Sequence, residues 1–168
     1  MAADCQALTQ GLVNQLPARR PRAALPQRSA VFLLMHQADA QIWLQRRPGQ
    51  GIWAGLWCLP QFEDVASAQA WLDQHQAHLS PADRAATHLD EMPQWAQFKH
   101  VFTHFKLSAQ VYALEYSESA AARWVAEADT GSWHSLNSAL ALGLPQPIRR
   151  LLENLEPHDL FGLKPIAG

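Results

Sequence analysis

From Ser29 onward the chain alternates between blocks that are almost wholly apolar and short polar connections, and the block lengths predict the elements. "SAVFLLMH", the polar "QADA" and "QIWLQRR" read as two strands joined by a tight turn, a β-hairpin. A glycine-rich stretch, "RPGQGIWAGLW", follows, and "WCLPQF" resumes the apolar pattern; the loop between them is long enough to lie over a ligand. In "SAQAWLDQHQAHL" the residues Ala68, Trp71, Leu72 and His75 recur at three- and four-residue spacing. That predicts a helix from Ser67 to His78 with Ser67 as its cap.

A second pair of strands is expected over Phe98–His104 and Lys106–Tyr116, where Leu107, Ala109, Val111 and Ala113 alternate with Ser108, Gln110, Tyr112 and Leu114. "ARWVA" reads as a further short strand. Two short helices, "SLNSALALGLP" and "PIRRLLENL", are split at Gly143 and Pro145, with Ile148, Leu151, Leu152 and Leu155 turned inward. Strands, helix, strands and short helices in that order suit an α+β fold, a mixed or antiparallel sheet flanked by helices.

The first 28 residues follow a different rule. A short Leu/Val-containing piece gives way to Pro17, Pro21 and Pro26 interleaved with Arg19, Arg20, Arg22 and Arg28, an extended, charged linker that builds no core. The expected organisation is therefore a leading tail and linker over 1–28, one domain over 29–156, and a C-terminal tail over 157–168. Of 168 residues 48% are hydrophobic, enough for one sizeable core. The net charge of -2 excludes a uniformly basic nucleic-acid coat, so any phosphate contact must be local. Cys5 and Cys58 make no disulfide framework, and no apolar run approaches the roughly 18 residues of a membrane span. A reduced, cytoplasmic setting without membrane contact is expected.

Chemistry narrows quickly. His100 and His104 suggest a metal, but on one strand they stand ~13 Å apart by the ~3.3 Å rise, too far for one ion, and no cysteine or carboxylate interleaves with them. Cys58 lies between bulky apolar neighbours, the setting of an inert thiol. Thr103 and His104, adjacent on a strand, point to opposite faces and make no dyad.

The hairpin, the "GLWCLP" run and the helix resemble the front half of the Nudix fold. Nudix hydrolases hold divalent metal on a glutamate-rich helix after "LPGG". Here the text is "LPQF" and the helix offers only Asp73, so the Nudix catalytic box is degenerate and pyrophosphate cleavage is not expected of it. A nucleotide pyrophosphohydrolase with relocated ligands is the enzymatic alternative, and a protein-docking module is a third. Basic side chains at Arg19, Arg20, Arg22, Arg46, Arg47, Lys99 and Lys106 are candidate contacts to a DNA backbone.

Three segments, "LQRRPGQGIWAGLWCLPQFE", "FKHVFTHFKL" and "LGLPQPIRRLL", in this order and spacing, resemble the C-terminal domain of the MutY-type, A/G-specific adenine DNA glycosylases. The likeness runs from Asp4 to Leu155. It implies a degenerate Nudix domain that checks for 8-oxoguanine opposite adenine during base excision repair. It also implies that a separate helical domain of the same bacterial protein performs the excision, so this chain alone is expected to have no glycosylase activity. The family's Phe-Ser/Thr-His lesion reader matches Phe102, Thr103 and His104. Its [4Fe-4S] cluster, held by four cysteines before the linker, matches Cys5 alone. No cofactor is therefore expected in this chain, and Cys5 is a cluster ligand only in a full-length protein. The implied partners are double-stranded DNA carrying 8-oxoguanine opposite adenine and the N-terminal catalytic domain.

The lesion reader is chemically apt. Oxidation turns guanine N7 into a donor and adds an acceptor oxygen at C8, and a hydroxyl can accept from the one and donate to the other. Two roles are open to Phe102, pressing on the base or anchoring the loop, and two to His104, a phosphate contact or a backbone hydrogen bond. Trp53 and Trp57 invite base stacking, but in this loop they are expected to close the core.

Overall fold

The computed structural model describes residues 24–76, 88–118, 120–122 and 131–155. Its centre is β1, Gln27–Gln37, whose apolar run is buried because both faces of the strand are covered. Ala30, Phe32 and Leu34 belong to one core cluster, and Val31, Leu33 and Met35 to the other. β1 turns through Ala38, Asp39 and Ala40, the last at φ 62°, into antiparallel β2, Gln41–Arg46. Two short strands follow: β3, Trp57–Cys58, on β2, and β4, Gln61–Phe62, on β1.

The expected second pair is present with a shifted boundary. β5 runs Ala96–Val101 and β6 runs Lys106–Tyr116, paired antiparallel, so Phe102 to Phe105 form the turn and His104 is not a strand residue. The Phe102 N–H donates to the Phe105 carbonyl at 2.8 Å and closes the turn. β6 also runs parallel to β1 along its whole length. The sheet is mixed, in the order β3-β2-β1-β6-β5, with β5 at one edge.

α1, Val65–His75, begins earlier than its apolar periodicity suggests. Asp64 caps it, accepting from the Ser67 N–H at 2.7 Å, so the cap is an aspartate three residues before the expected serine. Ala68 and Leu72 bury against the Val31/Leu33/Met35 side of the sheet. The helix ends at His75, short of the expected His78. The expected strand Ala122–Ala126 lies outside the described residues apart from Ala122, which is helical.

Sequence patterning missed β7, Gly131–Ser135, which pairs antiparallel with β2. "GSWHS" carries one apolar residue, and its place is set by contact: Trp133 meets Trp43 edge-on at 5.4 Å, and Gly131 packs where a Cβ would stand 2.9 Å from the Leu44 carbonyl oxygen. α2, Leu136–Ala141, and α3, Gln146–Glu153, match the two expected short helices. Ile148, Leu152 and Leu155 bury against the Phe32 side of the sheet, with Leu151 half-buried beside them. Arg149 fixes the corner between these helices, donating to the Leu140 carbonyl at 2.8 Å and the Leu142 carbonyl at 2.9 Å.

Candidate nucleic-acid interface

The turn between β5 and β6 projects from the edge of the sheet, with Thr103 and His104 exposed and Phe102 and Phe105 half-buried at its base. Neither Thr103 nor His104 makes a hydrogen bond among the described residues, so both polar groups face solvent. The turn is held by its aromatic neighbours. Phe102 and Phe105 stack at 4.5 Å and 23°, and His100 meets Phe102 edge-on at 4.6 Å. Trp53 reaches in from the glycine-rich loop, 5.5 Å from Phe102, 6.0 Å from His100 and 6.2 Å from Phe32. A continuous aromatic path thus runs from the core to the foot of the turn, and Phe102 anchors it.

The loop is bent back by its own hydrogen bonds. The Gly55 N–H donates to the Pro48 carbonyl at 3.2 Å, the Leu56 N–H to the Trp53 carbonyl at 3.1 Å, and Arg46 Nε to the Gly55 carbonyl at 3.2 Å. Trp53 sits at φ 58°, a left-handed conformation disfavoured for a bulky residue and kept by its ring contacts. Trp53 and Trp57 both pack on the core, which accounts for them without base stacking.

The basic residues divide between two faces. By strand alternation Arg28 shares a face with Ala30 and Phe32, and Arg46 with Ile42 and Leu44, the face that carries Trp53. Lys99 and Lys106 alternate onto the other face, beside Ser108 and Val101. The expected basic set therefore does not form one patch. Arg47 is half-buried with its Nε unpartnered, and Arg19, Arg20 and Arg22 lie outside the described residues. Arg28 falls in the expected linker, yet its guanidinium stands 4.6 Å over the Phe105 ring, beside the turn. Its alternation with Ala30 and Phe32 was the available signal.

Among the described residues the side chains do not fit a metal or a cluster. Asp64 is engaged as the α1 cap and Asp73 accepts from Gln69 Nε2 at 2.8 Å. Among the described residues no group of three or more His, Cys, Asp or Glu side chains can hold a metal ion. Cys58 is buried, and burial pushes its thiol up to about 12, as its apolar neighbours suggested. Cys5 lies outside the described residues, and one thiolate cannot hold an iron-sulfur cluster. No helix among the described residues is long and apolar enough to cross a membrane.

The NUDIX domain family model matches residues 30–154. This chain belongs to the NUDIX domain family. A mutT/nudix family protein from Listeria innocua shares the fold, with a TM-score of 0.58 at 12% identity over 77% of this chain and 92% of its own.

This NUDIX domain also carries the expected resemblance to adenine DNA glycosylases. It is 24% identical to the Adenine DNA glycosylase of Buchnera aphidicola subsp. Acyrthosiphon pisum (strain APS), over 92% of this chain and 41% of that protein. It is 28% identical to the Adenine DNA glycosylase of Homo sapiens, over 93% of this chain and 29% of that protein. The chain thus spans less than half the length of these curated relatives.

Proposed function

We propose that this NUDIX domain is the lesion-recognition part of a MutY-type adenine DNA glycosylase, reading 8-oxoguanine opposite adenine in duplex DNA. The observation that carries the reading is Thr103: an exposed, unpartnered hydroxyl at the tip of a turn that an aromatic cluster holds at the sheet edge. The likeness to adenine DNA glycosylases over nearly the whole chain supports it.

The chemistry proceeds by complementarity alone. Thr103 Oγ accepts the hydrogen that oxidation places on N7 and donates its own hydrogen to O8. Unoxidised guanine presents an acceptor at N7, so half of that exchange is lost. The turn needs no catalytic group. Excision of the adenine, which requires the base to leave the stack, belongs to another domain of the full-length protein, where Cys5 would be one of several iron-sulfur ligands. Arg28, whose guanidinium lies over Phe105 at the foot of the turn, and Arg46, on the same face as Trp53, are the phosphate contacts of this reading.

The test compares binding of the chain to two duplexes that differ only in 8-oxoguanine or guanine opposite adenine. Tighter binding of the oxidised duplex is expected; equal affinity overturns the reading. Incubation with 8-oxo-dGTP and magnesium addresses the enzymatic alternative. No pyrophosphate release is expected, and release would replace recognition with hydrolysis.

A further inference from the structure

A cavity of about 300 Å³ lies between β5 and α3, lined by Gln97, Phe98, Lys99 and His100 on one side and by Gln146, Arg150 and Asn154 on the other. Its walls follow from the fold. The Phe102 N–H bonds to Phe105, so by antiparallel alternation Phe98 and His100 turn their backbone groups toward β6. Gln97 and Lys99 turn theirs to the open edge of the sheet, into the cavity. The side chains of Phe98 and His100 meet it from the Trp53 face.

The charge of the lining is one-sided. Arg150 is its cation, the amides of Gln97, Gln146 and Asn154 and the edge N–H and C=O groups of Gln97 and Lys99 are neutral, and no carboxylate lines the cavity. Arg149 and Arg150 are adjacent in sequence but differ in role: Arg149 is committed to the Leu140 and Leu142 carbonyls, whereas Arg150 is exposed. His100 joins the cavity to the turn, since it also touches Trp53 and Phe102.

We propose that this cavity is a phosphate subsite for a nucleic-acid strand, with Arg150 as its cation and the Lys99 N–H as a backbone donor. The proposal rests on the lesion-recognition reading for its ligand, DNA, but not on Thr103. Lys99 and Thr103 are four residues apart, and since β5 ends at Val101 and the chain turns from Phe102, they are separated by less than the ~13 Å of four strand residues, within about four nucleotides at ~3.4 Å of axial rise per strand. The subsite therefore takes a phosphate flanking the inspected base, and positions the strand without reading it.

The experiment uses the whole chain with Arg150→Gln, titrated with the oxidised and the plain duplex between about 50 and 200 mM salt. The slope of log affinity against log salt is expected to shrink by about 0.9 for both duplexes, the signature of one lost phosphate contact, with the oxidised-to-plain ratio unchanged. An unchanged slope, or a change confined to the oxidised duplex, overturns the subsite. An oligoglutamate peptide that shifts the Arg150 and Gln97 side-chain NMR signals while the duplexes do not overturns it in favour of an acidic protein ligand. Equal wild-type affinity for the two duplexes, with the slope still reduced by Arg150→Gln, removes the lesion reading and leaves the subsite standing.

Discussion

The Trp53 indole and the Phe102 ring stand 5.5 Å apart, and this pair joins the glycine-rich loop to the turn that presents Thr103. Trp53 holds its contact at φ 58°, so the packing outweighs a backbone cost of order 1–3 kcal/mol. Trp53→Ala is expected to destabilise the chain by about 2–3 kcal/mol, less than a fully buried tryptophan because Trp53 is half-exposed. Urea unfolding measures the loss. Hydrogen exchange at the Phe102 amide should accelerate more than exchange in β1, since the turn loses its support first.

Arg149 and Arg150 predict opposite outcomes from the same change in charge. Arg149→Met leaves the Leu140 and Leu142 carbonyls without their shared donor and is expected to cost about 2–3 kcal/mol. Arg150→Gln is expected to stay within about 0.5 kcal/mol, as an exposed substitution away from the core. Thermal unfolding of the two variants distinguishes them, and equal losses would contradict the separation of roles.

Stability should fall on both sides of neutrality. Burial lowers the His36 pKa below its ordinary 6.5, against the opposing pull of Glu115 and the Gln37 backbone. The unfolded chain therefore takes up a proton near pH 6.5 that the folded chain refuses, so this contribution is whole above 6.5 and is lost as pH falls below it. Cys58 acts in the other direction: its folded thiol stays protonated to about 12 against an ordinary 9.0, so stability is lost as pH rises above 9.0. Each group contributes no more than about 1.4 kcal/mol per pH unit, and burial makes His134 add to the acid limb and Tyr116 to the alkaline one. Urea midpoints across the range should show both limbs, with His36→Gln flattening the acid one.

Much of this arrangement was legible in the apolar pattern. β1, β2 and β6 are long enough, and buried enough, for their blocks to announce themselves, and β6 has the bounds its alternation suggested. β7 was not legible because a single contact, Trp133 against Trp43 of β2, rather than an apolar alternation along the strand, gives it a place. The α1 start was misplaced because a cap is decided by one side chain's hydrogen bond, and Asp64 made it before Ser67 could. At the site, Phe102, Thr103 and His104 could be singled out by resemblance, and strand spacing demoted the histidines. What strand spacing could not give was the face of each cation. Lys99 and Lys106 looked like partners of Arg46 until the register put them on the other side of the sheet. Arg28 and Arg150 were passed over because pairing with an aromatic ring, or bordering a cavity, is a property of the folded chain.

The central claim is that the Thr103 hydroxyl distinguishes oxidised from plain guanine, and its most direct test is the ratio of affinities for the two duplexes in wild type, Thr103→Ser and Thr103→Ala. One net hydrogen bond corresponds to about 1 kcal/mol, so Thr103→Ala should reduce the oxidised-to-plain ratio by about five- to tenfold. Thr103→Ser, which keeps the hydroxyl, should retain most of it. A ratio that is the same in wild type and Thr103→Ala would contradict the account.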